Sequence, residues 1–302
     1  MRTLLIKISV FIMILIFLFT MFIPKSKSDI KEETIKKVEE KKETPKYVQV
    51  SSNGNVSEVE LETYLIGVVA SEMPYSFELE ALKAQSVAAR TFVMQRDLKV
   101  DDTTSSQVYK SEQELKEIFD QDYDAMYTKI KKAVDATKGE VMKYQDAYIS
   151  AMFYSCNNGK SNDAAWYYKN EVPYLKSVDS PWDLNYDACK KSEERSVSDV
   201  VQALGVNAFN VENFEYYDNG YVKNVTIKGK TFTGREVREK LKLRSSCFSF
   251  VESGSSVIIN TSGFGHGVGM SQYGADGMAK EGKNYREILK HYYTGITIEK
   301  MN

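Results

Sequence analysis

At 302 residues the chain has room for one large domain or two small ones, and either can bury a core. Its 40 lysines and arginines nearly balance 42 acids, and a net charge of −2 leaves no basic field for nucleic acid. With 42% hydrophobic and 27% charged residues it has the composition of a folded protein, which selects no function by itself.

The first element is an apolar run from Ile8 to Pro24, preceded by Arg2 and Lys7. It is at the short end for a membrane-spanning helix, with Lys7 and Lys25 able to reach the two edges. No small-x-small cleavage site closes it, and no cysteine stands there to take a lipid. We read residues 1–28 as an uncleaved signal-anchor with the body of the chain outside the cytoplasm. Residues 29–46, DIKEETIKKVEEKKETPK, interleave acids and bases without an apolar stripe, as a solvated tether does.

Folded sequence begins at Tyr47, where YVQV reads as a strand entering a Ser-Ser-Asn-Gly turn. Leu61, Leu65 and Val68 or Val69 are spaced for one helix face, predicting a helix over Val59 to Ser71 that Met73-Pro74 stops. A second helix is predicted from about Ser76 to Arg96. Its face is Leu79, Leu82, Ser86, Ala89 and Val93, and the small Ala81, Ala84 and Ala88 let another element come close. Asp101 to Ser106 reads as a loop, and Ala133 to Lys138 as the end of a further helix before Gly139. VMKY and AYISAMFYS then read as paired strands. The C-terminal half alternates strands (YVKNVTIKGK, SSVIIN) with helices (GREVREKLKL, NYREILKHYY). The expected class is α+β, a single mixed helix/strand region over residues 47–302 without the rhythm of a doubly wound sheet.

Two places carry candidate chemistry. Glu72, in VVASEMP, ends a helix beside apolar neighbours and a proline-braced corner. A carboxyl held against apolar side chains is pushed toward its neutral form and can act as a general acid near neutrality; the plain alternative is a solvent-facing glutamate. GFGHGVGMSQYGA, residues 263–275, places glycine at every second position from 263 to 269. That clears one face of an extended segment for a ligand or another backbone. It is neither a phosphate loop nor a dinucleotide fingerprint. The polar groups it would present are His266, Ser271, Gln272 and Tyr273.

Cys156, Cys189 and Cys247 form no C-x-x-C pair, and with only two histidines a zinc cluster is not expected. One disulfide is open to an extracytoplasmic chain, although three buried thiols are the preferred reading. A cysteine or serine nucleophile paired with His266 lacks any orienting motif.

Together with VVASEMPYSFELEALKAQSVAARTFV, VPYLKSVDSPWD and FTGREVREKLKLRSSCFSF, the glycine string resembles the stage II sporulation protein D family, in the same order from Tyr47 to the C-terminus. The related amidase-enhancer and spore-cortex proteins share its glycine signature. The resemblance implies a peptidoglycan lytic transglycosylase. Such an enzyme cuts the β-1,4 bond between N-acetylmuramic acid and N-acetylglucosamine in peptide-stripped strands and leaves 1,6-anhydro ends during engulfment of the forespore. It places the catalytic acid at Glu72, a supporting arginine at Arg90, and a tyrosine–lysine pair at Tyr174 and Lys176. Implied partners are the glycan strands, the stage II sporulation protein P amidase and stage II sporulation protein M. The implied location is a single-pass membrane site facing the space between mother cell and forespore. No cofactor is expected. Some family members hold zinc after the AART helix; here that segment, DLKVDDTTSSQVYK, has no His or Cys, so no metal is expected. The competing reading is a non-catalytic glycan-binding enhancer of a cell-wall amidase.

Overall fold

A computed structural model describes residues 44–52, 54–103 and 106–301. The anchor expected at 1–28 and nearly all of the tether lie outside the described residues. Among those described, no helix is long and apolar enough to cross a membrane. From Lys46 onward the chain forms one compact unit, and its elements mix helix and strand, in agreement with the α+β expectation.

Tyr47–Ser52 (β1) turns back at Gly54 into Asn55–Glu60 (β2), and β1 also pairs in parallel with Lys99–Asp101 (β3). The helix Leu61–Glu72 (α1) follows without a loop. The carboxylate of Glu60 accepts from the Thr63 N–H at 2.8 Å and caps its first turn. Strand β2 claims Val59 and Glu60, so α1 starts two residues later than the apolar spacing predicts. Met73 is extended, as a residue before proline must be, and the helix stops there.

Leu79–Gln95 (α2) is the centre of the first core. Every residue from Ala81 to Val93 except Lys83 is buried, so this helix is enclosed on all sides rather than on one face. Its alanines let neighbours approach, and each buried Leu or Val adds roughly 1.5–3 kcal/mol of hydrophobic stabilisation. Against it pack α1, Tyr123–Ala136 (α4), Glu140–Tyr144 (β4), and two helices from the far end of the chain, Gln272–Lys280 (α8) and Tyr285–Tyr292 (α9). Between α2 and α4, Glu112–Phe119 (α3) opens with a reciprocal cap between Ser111 and Glu114.

The expected pairing of VMKY with AYISAMFYS holds only at its start. Ala147–Tyr148 (β5) pairs with β4, and Thr297–Lys300 (β14) takes the other edge of β4. Phe153–Tyr154 (β6) leaves this sheet and pairs in parallel with Met270–Ser271 (β13), directly after the glycine string.

A second core lies in residues 197–259, built on Val225, Ile227, Val237 and Ile259. It is framed by Lys190–Ser196 (β7), Val197–Leu204 (α6), and the sheet of Val211–Tyr216 (β8), Val222–Ile227 (β9) and Lys230–Thr233 (β10). Gly234–Lys240 (α7) and the strands Phe248–Ser253 (β11) and Ser256–Ser262 (β12) complete it. The short helix Ala164–Tyr168 (α5) belongs to the first core.

Cys156 and Cys189 form a disulfide, and Cys247 is free and partly buried. This corrects the expectation of three buried thiols: the pair is separated by 33 residues in sequence, which hid it, and the fold brings the Cα atoms to 5.7 Å.

Candidate functional site

Glu72 closes α1, and what fixes it is the segment that follows the loop expected at Asp101 to Ser106. Residues 107–110 run across α1 at Gly67, where a side-chain Cβ would sit 2.4 Å from the Lys110 carbonyl and 2.6 Å from the Tyr109 ring. Glycine at 67 is therefore what lets this segment lie close. It is held by Tyr64, whose hydroxyl donates to Gln107 at 3.1 Å and whose ring stacks on Tyr109 at 5.2 Å. The Val108 N–H then donates to Oε1 of Glu72 at 2.8 Å.

Burial pushes the Glu72 carboxyl above its ordinary range, and the Val108 hydrogen bond pulls the other way as the smaller effect. The phenol of the buried Tyr64 is raised chiefly by its own burial and next by the charge of Glu72. No cation acts against the burial: Lys110, in the same segment, is bound to Glu114 at 2.9 Å. Glu72 itself is only partly buried, and its Oε2 has no hydrogen-bond partner among the described residues. The result is a carboxyl with one oxygen anchored, one oxygen available, and a bias toward the protonated form.

Arg90, expected to support Glu72 or the substrate, is placed elsewhere. Its guanidinium is wholly buried and grips Glu62 through Nη2 at 2.6 Å and Nε at 3.1 Å. Its remaining bonds go to the carbonyls of Glu140 and Val134. It ties α1, α2, the end of α4 and the start of β4 together, and has no surface left for a ligand. Tyr174 accepts from the Ser150 N–H at 3.0 Å and packs on Tyr144. Lys176 stays partly exposed, with Asp163 at 3.8 Å as its ion-pair partner.

The glycine string departs from the extended form expected of it. Gly263, Gly265, Gly267 and Gly269 all have positive φ, from 80° to 114°. The close approach that glycine permits is made by the chain itself. A Cβ at Gly269 would lie 2.0 Å from the Met152 carbonyl.

Ser271, expected to face a ligand, is fully buried. Its hydroxyl caps α8 at the Gly274 N–H and donates to Asp183 at 2.5 Å. Gln272 is buried beside it with Nε2 unpartnered. His266 accepts from the Val268 N–H through Nδ1 at 3.0 Å and is ringed by Tyr154, Tyr167 and Tyr168. Burial, helped by the neighbouring charge of Arg238, lowers its pKa to about 4. It is a neutral packing histidine at physiological pH, not a base poised to titrate there.

Among the described residues no hydrogen bond, ion pair or ring contact joins Glu72 to Arg90, Tyr174, Lys176 or His266. Sequence reasoning missed Tyr64, Gln107 and Val108, the groups that set Glu72; a backbone N–H leaves no mark in a sequence. It also missed Asp183 in SPWD. This buried carboxyl accepts from Ser180, Ser271 and the Asn157 N–H, and burial raises its pKa to about 6. Among the described residues, Cys156, Asp183 and Cys189 are the group close enough to share a metal. With the two sulfurs bonded to each other, neither offers the thiolate a metal would need.

Comparison with known proteins points one way. A family model described as stage II sporulation protein matches residues 49–144, which takes in Glu72 and α1, α2 and α4 but neither Tyr174 nor the glycine string. The chain is 43% identical over 274 residues to stage II sporulation protein D of Bacillus amyloliquefaciens, covering 85% of this chain and 80% of that protein. Against stage II sporulation protein D of Bacillus subtilis it is 43% identical over 263 residues, 82% of this chain and 77% of the relative. The amidase enhancer of Bacillus subtilis is 30% identical over 294 residues, 78% of this chain and 40% of the relative.

Proposed function

The chain belongs to the stage II sporulation protein D family, and from that premise we propose that it is a lytic transglycosylase acting on peptide-stripped peptidoglycan strands. The observation that carries this reading is the Glu72 carboxyl: raised by burial, anchored at one oxygen and free at the other. Protonated, Glu72 gives its proton to the oxygen between the two sugars as the bond from C1 breaks. The oxocarbenium-like centre at C1 is then closed by the 6-hydroxyl of the same sugar, and the Glu72 carboxylate takes that proton back. No water is consumed, and the product carries a 1,6-anhydro ring. One carboxyl performs both transfers, so the paired carboxylates of ordinary glycosidases are not required.

The chain would act outside the cytoplasm, anchored by residues 1–28 in the membrane between mother cell and forespore during engulfment. The Cys156–Cys189 disulfide supports that side of the membrane, because such bonds persist in oxidising compartments. The stage II sporulation protein P amidase, which would strip the strands, and stage II sporulation protein M are the partners we assign to it. The amidase-enhancer relative favours one other reading, a glycan-binding module that activates an amidase.

The two readings separate on one experiment. The chain is incubated with peptide-free glycan strands, and the products are weighed by mass spectrometry. Anhydro ends are expected from the wild type. They should fall by about a thousandfold in Glu72→Gln, the range a general acid supplies. Since the acid form is the working one, the rate should decline as pH rises through the elevated pKa of Glu72. Intact glycan with binding retained would establish the enhancer reading instead, and free reducing ends would indicate a hydrolase.

A further inference from the structure

Helix α5 of the first core and the β8–β9–β10 sheet with α7 of the second frame a cleft of about 340 Å³, at the lower end of the volumes that hold small ligands. None of the groups around Glu72 lines it. Trp166 and Tyr217 form a parallel aromatic stack at its wall, 4.9 Å between centroids and 8° between planes, locked by the Tyr217 hydroxyl donating to the Trp166 carbonyl. Tyr168 lies alongside, 5.9 Å from the Arg235 guanidinium. Arg235 is bound to Glu239 through Nε at 2.7 Å, which leaves both Nη groups of a half-exposed side chain without a hydrogen-bond partner among the described residues. Lys223 is exposed and carries no ion pair among the described residues.

Tyr221 is an unpaired polar group of the cleft wall. It is 1% exposed, it lines the cleft, and its hydroxyl has no hydrogen-bond partner. That hydroxyl sits 2.6 Å from where a Cβ at Gly267 would project, so the glycine string is the floor on which it rests. A phenol sealed from water and left unpaired is unfavourable.

We infer that this cleft is an accessory glycan-binding site that holds one amino sugar of a strand apart from Glu72. The chemistry selects a neutral sugar over a charged polymer. Flat aromatic rings take the C–H face of a pyranose, while Arg235 and Lys223 reach hydroxyl and acetamido groups. Glu236 and Glu239 at the rim offset two of the three cations Lys169, Lys223 and Arg235, which leaves little single-sign field to draw an acidic chain. The inference rests on the glycan reading of the previous section, but its failure is separable from the failure of that reading.

The test uses the full-length chain in a non-ionic detergent, titrated with chitotetraose and with peptide-free glycan strands. Glu72→Gln is the background for the glycan titrations, so that the strands are not cut while they bind. Trp166→Ala and Arg235→Ala should each weaken binding at least about tenfold, the loss expected when a central aromatic or arginine contact is removed. Thermal melting confirms that each variant is folded. Unchanged binding in folded Trp166→Ala and Arg235→Ala would overturn the inference, as would no binding by the wild type, or binding of free stem peptides in place of glycan. Binding that depends on Arg235, in a chain that yields no anhydro ends, would uphold this site and defeat the transglycosylase reading.

Discussion

Glu72 and Asp183 are both raised by burial, yet they are suited to opposite tasks. Asp183 is sealed and accepts from three donors, so both of its oxygens are committed. Glu72 has one donor and a free oxygen, so it can meet a substrate. Asp183 makes a stability prediction with a definite sign. Folded, it keeps its proton up to about pH 6; unfolded, it loses it near the ordinary aspartate value of 3.8. Across that window the folded chain binds more protons, so the Asp183 contribution is present at low pH and is lost as pH rises. Compared with Asp183→Asn, which does not titrate, the wild type should give up about 2 kcal/mol between pH 4 and pH 7. Urea unfolding of both proteins at the two pH values measures this; a constant gap would mean that Asp183 is ionised throughout.

At the scale of elements, the Arg90–Glu62 pair is the tie between helices. Arg90 is out of water and Glu62 is only partly exposed, so removing one partner leaves the other unpaired at a largely buried position, which costs far more than losing a surface bridge. Arg90→Ala should lower stability by about 3–5 kcal/mol in denaturant unfolding, while the molecules that remain folded still cleave glycan. An arginine acting on the substrate would show the reverse, intact stability and lost turnover. Helices α1 and α2 were legible because apolar spacing and a proline stop are local signals. The surroundings of Arg90 were not: its partners stand 28 and 50 positions away in sequence. The glycine string was legible as a place of close approach but not as to what approaches. Positive φ at four alternate glycines, with Met152 and Tyr221 pressed against them, is a property of the packed chain.

For the whole molecule, the disulfide and the glycine string act at one place. Cys189 accepts from the Gly263 N–H at 2.6 Å, and Cys156 exchanges backbone hydrogen bonds with Phe264. The bond closes a chain segment whose ends are separated by 33 residues. By its effect on the unfolded chain such a closure is worth about 3–4 kcal/mol. Cys156→Ser, or reduction of the wild type, should lower the unfolding free energy by about that amount. A calorimetric or denaturant midpoint that does not move on reduction would show that the two sulfurs contribute nothing to holding this corner.

The sequence by itself determined the α+β class, the helix–corner placement of Glu72 and the family, because each is written in local spacing or in strings of consecutive residues. Tertiary structure decided the rest. It turned Arg90 and Ser271 inward, paired Cys156 with Cys189 and laid Val108 against Glu72. It also brought Trp166 beside Tyr217 across 51 positions of chain. Those outcomes depend on which distant segments share a core, and burial, unlike helical period, leaves no repeat in the sequence for a reader to find.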